Sequence, residues 1–235
     1  MKPDIIITWP RNCDYPLWRQ MIRDHRSKFN EVIVVFMETN VGEDYRQFIK
    51  DAMFADHVLF VQSPPLNYGT EDWRNVSVNA GLLHSLHSEW IWFTEQDFFF
   101  KDIDSIWDIL TIDDPDYIGV EDGQRLHPCC LFIKRSVLAK TSKNFSANPP
   151  EYDHFGKIQK DLELLTKKHI ILLPGEYNHM AGLSHNMRLI TDGQKPNHRV
   201  EEFNKYLSLC FKINVPIDQR FKALFQHYLN SVEMA

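Results

Sequence analysis

Apolar residues in the first hundred positions fall into short unbroken runs, separated by longer stretches of mixed polarity. The runs are IIIT (5–8), EVIVVF (31–36), HVLFV (57–61) and EWIWF (89–93), all rich in β-branched or aromatic side chains. Unbroken rather than alternating runs predict strands buried on both faces. The stretches between them repeat their apolar positions at helical spacing. Residues 16–29 open with proline in the first turn and offer Leu17, Met21 and Ile22 as an inward face. Residues 44–54 offer Tyr45, Phe48, Ile49 and Ala52, and residues 73–87 offer Val76, Ala80 and Leu83. Strand, helix and strand in repeated succession predict an α/β fold whose sheet is mostly parallel, with right-handed crossovers.

The second half is more mixed. DYIGV (116–120) and CCLFI (129–133) predict strands that pair antiparallel at an edge, KIQKDLELLTKK (157–168) a helix and HIILL (169–173) another strand. Two amphipathic helices follow. Residues 200–211 would bury Val200, Phe203, Leu207 and Cys210; residues 217–232 would bury Ile217, Phe221, Leu224, Phe225, Tyr228 and Leu229. TSKNFSANPP (141–150) has the composition of the most mobile segment. With no repeat and no dividing linker, one domain is expected over residues 1–198 and a C-terminal helical extension over 199–235. The extension either packs back on the domain or joins two copies into a homo-oligomer. Its polar face, Gln219, Arg220, Lys222, Gln226 and His227, is too weakly basic to favour a membrane surface.

Composition narrows the field. Apolar residues are 43% and aromatics 13%, enough for a sizeable core. A formal charge of −6 argues against a nucleic-acid partner. The four cysteines, Cys13, Cys129, Cys130 and Cys210, form no CxxC pair, which predicts reduced thiols in a cytoplasmic protein. No stretch approaches the ~18 apolar residues of a transmembrane helix. The first apolar run is also too short for a signal segment.

In parallel sheets, ligands bind beyond the carboxyl ends of the strands. That rule singles out Trp9, Arg11 and Asn12 after the first strand, Glu38 after the second, and Glu95 with Asp97 after the fourth. If the backbone stays extended through Gln96, the two acids face one pocket. Their mutual repulsion calls for a cation, and carboxylate oxygens suit Mg²⁺ or Mn²⁺.

WRNVSVNAG (73–81) followed by EWIWFTEQD (89–97) resembles the nucleotide-sugar-dependent glycosyltransferases of the GT-A fold, in particular the family 2-like group. In those enzymes a helix opening with an Arg-Asn pair precedes a strand that ends in a D-x-D-type motif. The resemblance spans roughly residues 3 to 185, with Glu95 standing where Asp is usual. It implies a GT-A-like, Rossmann-like, mostly parallel sheet flanked by helices. It also implies metal-dependent transfer of a sugar, with inversion, from a nucleoside diphosphate such as UDP. The acceptor would be a hydroxyl on a glycan, a lipid-linked sugar or another molecule.

By position, the resemblance makes Asp97 a ligand of Mn²⁺ or Mg²⁺. Glu95 becomes its companion near the ribose or a metal-bound water. Thr8, Trp9 and Arg11 fall in the loop that cradles the base, Glu38 meets the uridine, and Arg74 neutralises the phosphate edge. A further metal ligand would be His179 or His185 in PGEYNHMAGLSHNM (174–187), with His179 favoured by the Ala181-Gly182 pair after it. The general base would be Asp153 or Glu151 in PPEYDHF, Asp153 favoured, although that aspartate equally suits a helix cap. His127 would line the acceptor side. Two alternatives compete. A nucleotidyltransferase would want a glycine-rich first loop, and WPRNCDYP contains no glycine. A non-catalytic GT-A-like binding domain fits the same pattern without chemistry.

Overall fold

The structure, a computed structural model, describes residues 1–9, 16–38, 49–50, 52–62, 72–95, 98–122, 125–146, 155–173 and 176–179. The four apolar runs become β1 (Asp4–Trp9), β2 (Val32–Glu38), β3 (His57–Gln62) and β4 (Trp90–Glu95). They lie parallel in the order β3–β2–β1–β4. A short β5 (Phe98–Phe100) follows, then β6 (Tyr117–Asp122), β7 (Arg125–Lys134), β8 (His169–Ile171) and β9 (Tyr177–His179). β7 pairs antiparallel with both β4 and β6, and β6 carries β8 in parallel. The result is a seven-stranded sheet, β3–β2–β1–β4–β7–β6–β8, beside a two-stranded β5–β9 sheet. The antiparallel strand therefore sits inside the sheet rather than at its edge, and β8 forms that edge. Burial along β7 explains the position, because seven of the eight residues from Leu126 to Ile133 are buried and unbroken apolar burial needs neighbours on both sides.

Period-two alternation divides the core between the sheet's faces. Ile5, Ile7, Trp90, Trp92 and Phe132 pack on one face with Trp18 and Ile22 of α1 (Pro16–Asp24). There Trp92 stacks on Phe132 with ring centroids 4.9 Å apart. Ile6, Ile33, Val35, Ile91 and Phe93 pack on the other face with Val78 of α2 (Asp72–Leu82). α1 ends five residues short of the expected Phe29 and continues as a 3₁₀ turn, Arg26–Lys28. Its buried face includes Trp18, while Met21 is half-buried.

The inward face expected for α2 holds at Ala80, which packs partly buried against the core, and is overturned at its other two positions. Val76 and Leu83 are 37% and 76% exposed, whereas Ser77, Val78 and Gly81 are buried. Gly81 supplies the reason. A Cβ built there would lie 2.4 Å from Ile6 Cγ2, so the absence of a side chain lets α2 settle directly on β1. Ile6 is β-branched and fully buried, so it has little room to yield. Gly81→Ala is accordingly expected to cost about 1–3 kcal/mol by overpacking. Urea unfolding of the full chain measures it, and an unchanged midpoint would mean that the helix shifts off the strand freely.

Most of the helix expected over 44–54 lies outside the described residues. At its end Ala52 is buried, but Ile49 and Met53 are exposed, and Met53 donates to the Lys50 carbonyl in a turn. The segment expected to be mobile is anchored over residues 141–146, where Phe145 and Ser146 are buried. Further helices are α3 (Ile103–Asp108), continued by a π-helical turn over Ile109–Asp113, α4 (Arg135–Leu138) and α5 (Gly156–Leu165). Asp102 caps α3, accepting the Asp104 N–H at 2.9 Å and the Ser105 hydroxyl at 2.6 Å. The expected C-terminal helices and the division at residue 199 lie outside the described residues. No helix among the described residues is long and apolar enough to cross a membrane.

Candidate active site

Strand register brings the expected site residues to one edge of the sheet. Thr8 pairs with Glu95, Trp9 with Phe36, and Glu38 with Gln62, so β1 and β4 end within a residue of each other while β2 and β3 run on together two residues past Trp9. Ile6 and Phe93 face α2, and alternation carries Thr8 and Glu95 onto that same face. Thr8 is 6% exposed and Glu95 is half-buried. The Thr94 hydroxyl lies 3.1 Å from the carbonyls of both Glu95 and Cys129, and donates to one at a time. That link fixes the end of β4 to β7, and sequence reasoning had no signal for it.

Beneath this edge runs a crevice lined by Ile6, Thr8, Val78, Phe93, Thr94, Pro128 and Phe155, too narrow for a water molecule. It forms a packed floor rather than a ligand cavity. Val78 on its wall also places the start of α2. A helix rises 1.5 Å per residue, so the backbone of Arg74 lies about 6 Å further along the axis, toward the strand ends. The Arg-Asn pair thus opens at the level where β1 and β4 stop. A roomier groove of about 570 Å³ lies on the outer flank of α2, between it and α4, bordered by Val76, Leu83, Leu138 and Lys143. None of the strand-end residues lines it.

On the far side of β4, Thr94 pairs with Cys130, and β7 runs back past the strand end toward His127. The His127 Nδ1 accepts the Cys129 N–H at 3.1 Å, which orients the ring at this edge. Cys129 and Cys130 are fully buried and in no disulfide, as their spacing suggested, and burial pushes the Cys130 thiol far above its ordinary range.

The β5–β9 pairing brings a distant segment to the same place. Phe98 pairs with His179, Phe99 with Asn178 and Phe100 with Tyr177. Residues directly opposite in an antiparallel pair have Cα atoms about 5 Å apart. The backbone of His179 therefore lies across from the residue that immediately follows Asp97. Tyr177 packs its ring on Phe98 at 5.3 Å, and Phe98 on Phe100 at 5.0 Å, which holds the pair against the core. Arg11, Asp97, Glu151, Asp153 and His185 lie outside the described residues, as do the side chains of Trp9, Glu38, Arg74 and His179. Among the described residues, no three His, Cys, Asp or Glu side chains come together as a metal site.

No family model and no curated protein matches the chain by sequence. Solved structures do match by shape. A crystal structure of TarS from S. aureus superposes with a TM-score of 0.53 over 90% of this chain, at 12% identity. The chain spans 44% of the length of that TarS structure. The fold is GT-A-like. Two further matches to this GT-A-like fold are looser. TarS 1-349 in complex with UDP-GlcNAc gives a TM-score of 0.45, covering 98% of this chain and 79% of that one at 12% identity. The galactosyltransferase LgtC, in complex with donor and acceptor sugar analogs, gives 0.47, covering 94% and 99% at 10% identity.

Proposed function

We propose that this GT-A-like chain is a glycosyltransferase that moves a sugar, with inversion, from a nucleoside diphosphate donor to an acceptor hydroxyl. One arrangement carries the reading. Glu95 ends β4 beside Thr8, Asp97 follows two residues later, and β9 returns the backbone of His179 opposite Phe98. Residues of carboxylate and imidazole type, carried by chain segments that meet at the carboxyl end of the parallel strands, suit a divalent cation and a diphosphate.

In this reading Thr8, Trp9, Arg11 and Glu38 receive the base and ribose, with UDP the favoured nucleotide. Arg74, at the start of α2, meets the phosphates, for which its planar fork is suited. Asp97 with either His179 or His185 would supply the oxygen and imidazole donors that fit Mn²⁺ or Mg²⁺, with Glu95 as companion near the ribose or a metal-bound water. When bound, that ion supplies charge neutralisation on the departing diphosphate. Asp153, or Glu151 in its place, takes the proton from the acceptor hydroxyl as its oxygen attacks the anomeric carbon. The new carbon–oxygen bond forms as the bond to the diphosphate breaks on the opposite face, which inverts the centre. The acceptor is a glycan, a lipid-linked sugar or another hydroxyl compound. Buried cysteines in no disulfide, Cys129 and Cys130, suit a reducing, cytoplasmic setting.

Calorimetry with UDP-sugars, with and without Mn²⁺, tests the reading. Binding is expected with Mn²⁺ present and at least about tenfold weaker after chelation, in line with loss of a metal that bridges protein and ligand. A chain that binds neither UDP- nor GDP-sugars under either condition would be no transferase of this class.

A further inference from the structure

We propose that Gln159 is a positioning residue that holds a bulge in β7, and that this bulge presents the Nε2–H of His127 to the acceptor substrate. The identity of the ligand rests on the transferase reading, whereas the geometry of the bulge does not. The register between β6 and β7 breaks after Gly119 pairs with Leu131 and before Glu121 pairs with Leu126. Across that break β7 places His127, Pro128, Cys129 and Cys130 opposite the single residue Val120. Pro128 suits the interruption, because proline has no N–H to give to a ladder. A bulge bends its strand and re-aims the side chains it carries.

A side chain ties the bulge on each side. Before it, the Leu126 N–H donates to the Gln159 Oε1 at 2.7 Å, and Gln159, on α5, is buried. One turn along, the Gln159 Nε2 donates to the Glu163 Oε1 at 2.9 Å, which fixes the amide with its oxygen toward β7. The Leu126 side chain fills the notch that Gly119 leaves on β6, so the residue preceding His127 is held by backbone and side chain alike. Within the bulge, the Cys129 N–H donates to the His127 Nδ1 at 3.1 Å, and the Cys129 carbonyl lies 3.1 Å from the Thr94 hydroxyl. The imidazole is thereby linked through Cys129 to the residue before Glu95. Because Nδ1 accepts, the neutral ring carries its proton on Nε2.

Sheet order assigns the ligand. In the order β2–β1–β4–β7, the residues read as receiving the nucleotide stand on or just after β1 and β2, and His127 stands beyond β4 from them. A donor whose diphosphate sits at the end of β4 leaves the β7 side to the acceptor. A neutral N–H suits a hydroxyl oxygen, since it directs one hydrogen bond without placing a second charge beside Glu95. Gln159, buried behind the strand, acts through Leu126. Apolar packing alone leaves a strand end free to turn, whereas the bond to Gln159 sets the direction in which the next residue leaves.

Nuclear magnetic resonance and transfer kinetics on the full chain test this. In the parent the His127 ring should show the Nε2–H tautomer. With UDP and Mn²⁺ bound, its Nε2 signal should shift when the methyl glycoside of glucose, galactose or N-acetylglucosamine is added. Gln159→Met removes the acceptor of the Leu126 N–H, so amide exchange at Leu126 should rise at least about tenfold. KM for the responsive glycoside should rise about 3- to 10-fold, as for one lost hydrogen bond, while the Kd for UDP-sugar with Mn²⁺ stays within about threefold. Gln159→Glu combined with Glu163→Gln exchanges the two groups and keeps both bonds, and should return exchange and KM to within about threefold of the parent. His127→Asn keeps a side-chain acceptor for the Cys129 N–H but has no Nε2–H, and should raise KM alike with Leu126 exchange unchanged. Unchanged Leu126 exchange in Gln159→Met would overturn the anchor. Faster exchange with unchanged KM, or an equal loss of donor affinity, would overturn the positioning role. A His127 signal that moves with UDP and Mn²⁺ but with none of the glycosides would give the contact to the donor and overturn the acceptor assignment. A parent chain that binds no nucleotide sugar would defeat the transferase reading and the acceptor contact together, while tautomer and exchange still judge the bulge.

Discussion

Replacing Arg135 with alanine is expected to lower the unfolding free energy by about 3 kcal/mol, the lower end of the range for breaking a buried ion pair. The reason lies in Asp4, whose side chain is fully buried at the start of β1. Its Oδ1 accepts the Asn30 amide at 2.8 Å, and its Oδ2 accepts the Ser85 hydroxyl at 2.7 Å and the Arg135 Nη2 at 3.4 Å. Arg135 is also the cap on the chain that leaves α2. It donates to the Ser88 carbonyl at 2.6 Å, the Ser85 carbonyl at 2.8 Å and the Ser85 hydroxyl at 2.8 Å. Removing it strands a carboxylate without its counter-charge and two carbonyls without their donor. Its side chain is 33% exposed, so water partly replaces it, and the loss falls short of the largest values for such pairs. Asp4→Asn removes the stranded charge. In the double variant the combined loss should therefore be smaller than the sum of the two single losses. Urea unfolding of the four proteins measures this cycle. Arg135→Ala within about 1 kcal/mol of the parent would show that the network contributes little.

The network marks the opposite end of the sheet from the candidate site, and nothing in the local sequence announces it. Asp4 precedes an apolar run and Arg135 follows another, yet they meet across 131 positions. The strands themselves were legible, because burial on both faces leaves an unbroken apolar run such as Ile5-Ile6-Ile7 or Trp90-Ile91-Trp92. The face of α2 was misread for a physical reason. Apolar periodicity assumes that inward residues are large, whereas close contact with β1 demands Ser77 and Gly81 and leaves Val76 and Leu83 outside. The polar composition of residues 141–146 hid Phe145, whose burial is set by Phe93 and Phe155. The candidate site divides the same way. Glu95 followed from a strand end, which is a local signal, and Thr8 from the family resemblance. The return of His179 to Phe98 and the bond from Leu126 to Gln159 are long-range pairings without a sequence period.

Asp97→Ala is expected to reduce sugar transfer at least about 100-fold, more than the 10- to 100-fold typical of groups that only support a metal ligand. The argument starts from position. β4 ends at Glu95 and β5 begins at Phe98, so Asp97 stands in the two-residue step between the sheet edge and the β5–β9 pair. A divalent cation held here would need anionic oxygen donors, and in the proposed set Asp97 contributes one full charge that alanine lacks. Mn²⁺ should then cease to strengthen UDP-sugar binding. Asp97→Asn, which keeps one oxygen but not the charge, should fall between the parent and alanine. Glu95→Gln should lose less, about tenfold, if its companion role is to the ribose or a metal-bound water. The fold should survive, because the apolar neighbours Phe93 and Phe98 that pack the core on either side are untouched. An unfolding free energy within about 0.5 kcal/mol of the parent is the expectation. Single-turnover transfer assays over a Mn²⁺ series separate the outcomes. An Asp97→Ala protein that transfers at the parental rate and still responds to Mn²⁺ would move the cation, and with it the chemistry, away from the edge of this sheet.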